Sequence, residues 1–235
     1  MDRDLDYIKR NFHNTMEKIE KAAQKSGRSA KDISLIAVTK TVEPWKINKI
    51  IDEGILELGE SKVQELTQKY DIINRGCKWH FIGHLQSNKV KYIMGKVELI
   101  HSVDRISLAK EIQKRAKNKG ITMDVLVQTN ISGEKSKFGI SPEKISQLVE
   151  GINQLPNLRI RGFMTIAPFA QKPEEVRYVF SKLRDIAIDI RKEKPDNSIM
   201  DILSMGMSND FEVAIEEGAN MVRIGSALFG ERKYT

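Results

Sequence analysis

Leu5, Ile8, Phe12, Met16 and Ile19 stand three and four residues apart among polar neighbours, and the stretch runs on to Gly27. That spacing lines one face of an α-helix, so residues 1–27 are expected to form an amphipathic leading helix that Gly27 stops. Beyond it the period changes. Short runs rich in Val, Ile and Leu alternate with longer stretches of helical spacing, the pattern of repeated βα units around a parallel sheet. The runs fall at 33–39, 55–58, 79–82, 97–101, 123–129, 158–163, 199–203 and 221–224. Pro44 and Gly54 bracket the helix after the first run, and Ser141-Pro142 supplies an N-cap with proline at the first helical position after the fifth. Residues 173–192 carry Val176, Val179, Phe180, Leu183, Ile186 and Ile190 on one stripe.

Eight parallel strands, each followed by a helix, can close on themselves and remove the exposed edges of an open sheet. The expected fold class is therefore α/β, a single (β/α)8 TIM-type barrel with an additional N-terminal helix. Such barrels take about 250 residues. The 235 residues are accounted for by the leading helix and a barrel over 33–230, giving one domain over 1–235. An open doubly wound sheet produces the same alternation and is the structural alternative.

Composition adds the setting. With 40% hydrophobic and 30% charged residues the chain can bury a sizeable core, and its one cysteine, Cys77, cannot form an internal disulfide. The opening ten residues lack the apolar core of a secretory signal, and no run approaches the roughly 18 apolar residues of a membrane span. A cytoplasmic protein with no membrane partner is expected. The formal charge of +7 raises the question of nucleic acid. The densest basic stretch, Lys110, Lys114, Arg115, Lys117 and Lys119, shares its segment with Leu108, Ile112 and Ala116 at helical spacing, and Glu111 stands four before Arg115. That is a solvated helix face, with no interleaved aromatics to stack bases, so no nucleic-acid partner is expected.

In such barrels the site is built where strands end and loops begin. The residues there are polar: Thr39-Lys40-Thr41, Gly59-Glu60-Ser61, Gly83-His84, His101-Ser102, Asn130, Met164-Thr165, Ser204-Met205-Gly206-Met207-Ser208 and Arg223-Ile224-Gly225-Ser226. Side chains alternate along a strand, so if Ile36 and Val38 point inward, Lys40 does too, at the upper rim. Desolvation at such a rim favours a neutral amine, the form that attacks a carbonyl; a lysine reaching out to solvent is the plain alternative. Gly206-Met207-Ser208 and Gly225-Ser226 place close-approaching backbone, unpaired N–H groups and hydroxyls after strands seven and eight, as a phosphate requires. Ser208 could instead be a simple N-cap. Asp210 and Glu212 are expected to point outward and complement the helix dipole. Arg223 shares the inward parity of Met221; its alternative is an ion pair with Glu60. A lysine, a phosphate cradle and an arginine together fit a pyridine cofactor, pyridoxal 5′-phosphate (PLP), whose ring nitrogen meets Arg rather than Asp.

The same residues carry a resemblance. Ala37-Val38-Thr39-Lys40, the block from Trp79 through Gly83-His84 to Lys89, Asn130-Ile131-Ser132 with Lys137-Phe138-Gly139, Ser204-Met205-Gly206-Met207-Ser208 and Met221-Val222-Arg223-Ile224-Gly225-Ser226 resemble the pyridoxal-phosphate homeostasis proteins. The barrel of that family is similar to the N-terminal domain of bacterial alanine racemases. The likeness covers nearly the whole chain and departs at Ser61, where the family usually has Asn. It implies that Lys40 carries PLP as a Schiff base, that Arg223 faces the pyridine nitrogen, and that Ser208, Gly225 and Ser226 hold the phosphate. Ser204, Gly206 and Met207 belong to the same expected cofactor-binding set.

Two functions compete. One is PLP homeostasis or carriage without defined turnover, with PLP-dependent apoenzymes as acceptors and no catalytic residues. The other is a PLP-dependent amino-acid racemase or lyase. A neutral ring nitrogen opposite Arg is a poor electron sink, and the second base of the related racemases is a tyrosine from a further domain. Here the last tyrosine is Tyr234. Without that further domain its dimer contact is also missing, so a monomer is expected. His80 reads as a core histidine, His84 as a rim residue with acid or base work as the less favoured alternative, and Lys137 as an anion contact or second PLP-accepting lysine.

Overall fold

The computed structural model describes residues 6–73, 76–134, 136–193 and 200–231. Leu5, Ile199 and Tyr234 lie outside the described residues. The strands are β1 (Ser34–Val38), β2 (Glu57–Glu60), β3 (Lys78–Phe81), β4 (Leu99–Val103), β5 (Met123–Thr129), β6 (Leu158–Thr165), β7 (Ile202–Ser204) and β8 (Met221–Ile224). All neighbours pair in parallel, and β1 also pairs with β8, so the sheet is a closed barrel in chain order. The open-sheet alternative is thereby set aside, and the (β/α)8 expectation holds.

The α-helices are α1 (Asp6–Lys25), α2 (Pro44–Asp52), α3 (Val63–Ile72), α4 (Val90–Ile93), α5 (Ile106–Lys119), α6 (Ile145–Asn153), α7 (Arg177–Glu193), α8 (Phe211–Glu216) and α9 (Ser226–Phe229). The stretch read as one helix over 173–192 is a 3-10 turn at Pro173–Val176 followed by α7. Ser141 stands at an N-cap as expected, though its hydroxyl makes no capping bond. The basic stretch lies on α5, which buries Leu108, Ala109, Ile112 and Ala116 and pairs Arg115 with Glu111 at 2.6 Å. Helix α1 buries Ile8, Ile19, Ala22 and Ala23. Tyr7 and Asn11 donate to the carbonyls of Phe229 and Leu228, so the leading helix grips the last one.

Two apolar layers follow from strand alternation. Outward-facing Ala37, Leu58, Trp79, Phe81, Val125, Val127 and Val222 pack under the helices, each large buried side chain contributing roughly 1.5–3 kcal/mol relative to exposure. Inside the barrel Ile36, Leu99, Leu126, Met164 and Met221 form their own cluster. At the N-terminal ends of the strands, Asp124 pairs with Arg159 and Arg161, and Arg161 with Asp201. Gly162 has φ +143°, and a Cβ there would sit 1.9 Å from the Ile202 carbonyl oxygen, so the contact of β6 with β7 requires glycine.

β5 and β8 match the apolar runs, whereas β2, β4, β6 and β7 extend past them to Glu60, Val103, Thr165 and Ser204. The ladder continues through polar residues because the layer above the inner apolar cluster is itself polar.

Candidate functional site

That polar layer is a hydrogen-bonded chain across the barrel. His80 Nδ1 lies 3.0 Å from His101 Nε2, and His101 Nδ1 lies 3.0 Å from Ser204 Oγ. Ser204 Oγ accepts from Arg223 Nη1 at 2.6 Å, and Arg223 Nη2 donates to the Thr165 carbonyl at 2.8 Å. Burial lowers His80 to about 4, and His101 falls well below the ordinary imidazole value through burial, with His80 and Arg223 adding to the effect. Both rings are therefore neutral near pH 7. His80 is the core histidine the sequence suggested, although its Nε2 has no hydrogen-bond partner among the described residues.

Above this layer a cavity of about 350 Å³ opens at the C-terminal ends of the strands. Lys40, Met207, Ser208, Arg223, Gly225 and Ser226 all line it, together with Val38, Ile82 and Ser61. Ile36 is in the inner cluster and Val38 in the cavity wall, so the parity argument for Lys40 is met. Gly225 N–H and Ala227 N–H converge on Ser208 Oγ, each at 3.2 Å. Convergent amides beside a hydroxyl are the donor set that an oxyanion needs. Ser208 thus joins the loop after β7 to the loop after β8.

Two of the expected site residues stand elsewhere. Ser204 is fully buried beneath Arg223 and holds it, while Gly206 has φ +90° and packs against α8. A Cβ on Gly206 would meet the Ala214 methyl at 2.6 Å, so close packing on α8, rather than approach to a ligand, demands the glycine.

Asp210 corrects the outward orientation expected of it. It is buried, lines the cavity, and accepts from the Met207 N–H at 2.6 Å, which ties down the turn. Burial raises its carboxyl above the usual range, against the pull of that N–H and of Arg223. Glu212 does face outward, paired with Lys18. The alternative of an Arg223–Glu60 pair is set aside: Glu60 shares the outward parity of Leu58 and meets Lys69 of α3 at 2.6 Å. His84 lies outside the cavity lining and stacks on Phe138, with ring centroids 4.0 Å apart. Lys137 does line the cavity.

Sequence reasoning missed Lys69 and the apolar wall of the β6–α7 loop, Ile166 to Ala170. Lys69 had a readable signal, since it falls on the buried stripe of α3 with Val63 and Leu66.

Residues 4–233 match the family model described as alanine racemase, N-terminal domain. The pyridoxal phosphate homeostasis protein of Aquifex aeolicus (strain VF5) is 49% identical over 220 residues, 93% of this chain and 96% of the relative. A crystal structure of an unknown protein from Bifidobacterium adolescentis is 35% identical with TM-score 0.92, covering 97% of each chain. PipY of Synechococcus elongatus PCC7942, solved with PLP bound, is 31% identical with TM-score 0.78, covering 85% of this chain and 93% of its own. With the closed barrel and the lysine-to-arginine cavity in place, these likenesses agree: the chain belongs to the pyridoxal phosphate homeostasis protein family, built on the alanine racemase N-terminal domain.

Proposed function

We propose that this protein binds PLP as a Schiff base on Lys40 and serves intracellular PLP homeostasis as a carrier, without a defined catalytic turnover. The observation that carries the reading is one cavity lined by Lys40, Arg223 and the two serine loops. The donor set suits the cofactor: an amine for its aldehyde, convergent amides and hydroxyls for its phosphate, and a guanidinium for its ring nitrogen. Bound there, PLP would supply a reactive aldehyde carbon.

The protein's residues divide the remaining work. Ser208 and Ser226, with the Gly225 backbone, hold the phosphate beside exposed Met207. Arg223 is fixed by Ser204 and Thr165, so it presents a directed charge to the ring. Neutral His101 supports Ser204 without adding a second charge. An arginine opposite the ring nitrogen leaves it unprotonated, which supports carriage over carbanion chemistry. PLP-dependent apoenzymes are the acceptors on this reading, and the barrel works as a monomer.

The test is an absorbance spectrum of the purified protein, then borohydride reduction and mapping of the modified peptide. Label on Lys40 and a colourless Lys40→Ala variant are expected. Label elsewhere, with Lys40→Ala still yellow, overturns the assignment. Turnover of free amino acids well above that of PLP alone would favour a racemase or lyase.

A further inference from the structure

Lys40 occupies a turn with an unusual backbone. Val42 N–H donates to the Thr39 carbonyl at 2.9 Å, closing the turn, and Thr41 at its third position has φ +59°. Among the described residues Thr41 is the only non-glycine with positive φ. A β-branched residue there is strained by an amount on the order of 1–3 kcal/mol, which persists only where surrounding contacts impose it.

Those contacts come from one ammonium group. Lys69 Nζ, buried beneath the turn, donates to the Thr39 carbonyl at 2.7 Å, to Glu60 Oε1 at 2.6 Å and to Glu65 Oε2 at 3.0 Å. Three donors meet three acceptors, which is the whole capacity of an ammonium. Each acceptor in turn holds the residues around Lys40. Glu65 Oε2 accepts the Thr41 N–H at 2.8 Å, and Glu60 Oε1 accepts the Thr39 hydroxyl at 3.0 Å. Glu60 Oε2 accepts the N–H of Ser61, another residue of the cavity wall. The turn is therefore gripped on both sides of Lys40, from outside the barrel.

We propose that Lys69, acting through Glu60 and Glu65, is a positioning residue that clamps the strained 39–42 turn and so aims Lys40 into the cavity for covalent capture of PLP. The inference rests on the functional reading above. In that capture the Lys40 nitrogen adds to the aldehyde carbon, and the carbonyl oxygen leaves as water with the two amine protons. Its rate depends on where the nitrogen stands, and the clamp sets that position.

The experiment compares full-length wild type, Lys69→Met and Glu65→Leu, each freed of cofactor, by two readouts. One is the rate of the absorbance change on mixing with PLP. The other is the affinity for pyridoxine 5′-phosphate, which has an alcohol in place of the aldehyde and cannot form the covalent bond. Because loss of Lys69 also costs stability, Glu65→Leu, at a partly exposed site, provides the milder arm. Capture is expected to slow by about tenfold or more in both variants, since small misplacements of a reacting group cost up to about a hundredfold. Pyridoxine 5′-phosphate affinity should stay within about twofold, because the phosphate loops are untouched.

Unchanged capture in a folded Glu65→Leu overturns the clamp. Parallel loss of analogue affinity overturns it too, by showing a global defect. If wild type captures PLP and the variants match it, only the clamp fails. If wild type forms no bond at Lys40, the functional reading fails and takes the clamp's role with it.

Discussion

Two buried cations, Lys69 and Arg223, flank the cavity from different depths and are treated differently by the protein around them. Lys69 lies outside the barrel wall with two carboxylates and a carbonyl on its ammonium. Arg223 lies inside, and its hydrogen bonds go to a hydroxyl and a carbonyl, both neutral. Among the described residues no carboxylate forms an ion pair with it, and burial pushes the guanidinium down to about 10, with Asp210 pulling the other way. A charge neutralised by its own protein is part of the frame. A charge buried among neutral groups is directed at whatever enters the cavity.

The largest effect should come from Lys69→Met, which strands Glu60, a fully buried carboxylate. Breaking a buried pair by removing one partner costs about 3–5 kcal/mol, read by urea unfolding. A smaller loss than that of Arg223→Met would reverse the comparison.

Next comes acid, which adds charge on the Arg223 side. An unfolded histidine takes its proton near pH 6.5, whereas folded His80 takes it only at about 4. The unfolded chain therefore binds more protons in this window. The stability tied to neutral His80 is complete above about pH 6.5 and is lost as pH falls towards 4, by an amount on the order of 3 kcal/mol. Unfolding midpoints from pH 7 to 4 should trace this fall, and His80→Gln should make it shallower, leaving the part that neutral His101 contributes. A flat profile in wild type would mean that the polar layer accepts protons freely.

The smallest effect is expected from Arg223→Met without PLP, about 1 kcal/mol or less, because relief of a buried charge offsets two abandoned acceptors. The same substitution should abolish most of the thermal stabilisation that added PLP gives wild type. A variant stabilised by PLP as fully as wild type would show that Arg223 serves the fold alone.

The contrast also explains what the sequence could and could not disclose. Strand alternation carried Lys40 and Arg223 to the cavity, since period two needs only Ile36 and Met221 to face inward. It could not separate Ser204 from Ser208, which differ in depth rather than in type: one is buried under Arg223, the other lines the cavity. Asp210 was misread because helix-start carboxylates usually face water, whereas this one caps the Met207 turn from within. Strand ends were set short where Glu60, Thr165 and Ser204 begin, because an apolar run stops where the chemistry starts, although the ladder continues.

The seam between β1 and β8, bound over by α1 on Leu228 and Phe229, also has a bearing on biosynthesis. Lys40 leaves the ribosome long before Ser208, Arg223 and Ser226. Until the eighth strand pairs with the first, Lys40 stands without the serine loops that complete its cavity. The cavity that runs from Lys40 to Arg223 is thus completed only when the first and eighth strands meet.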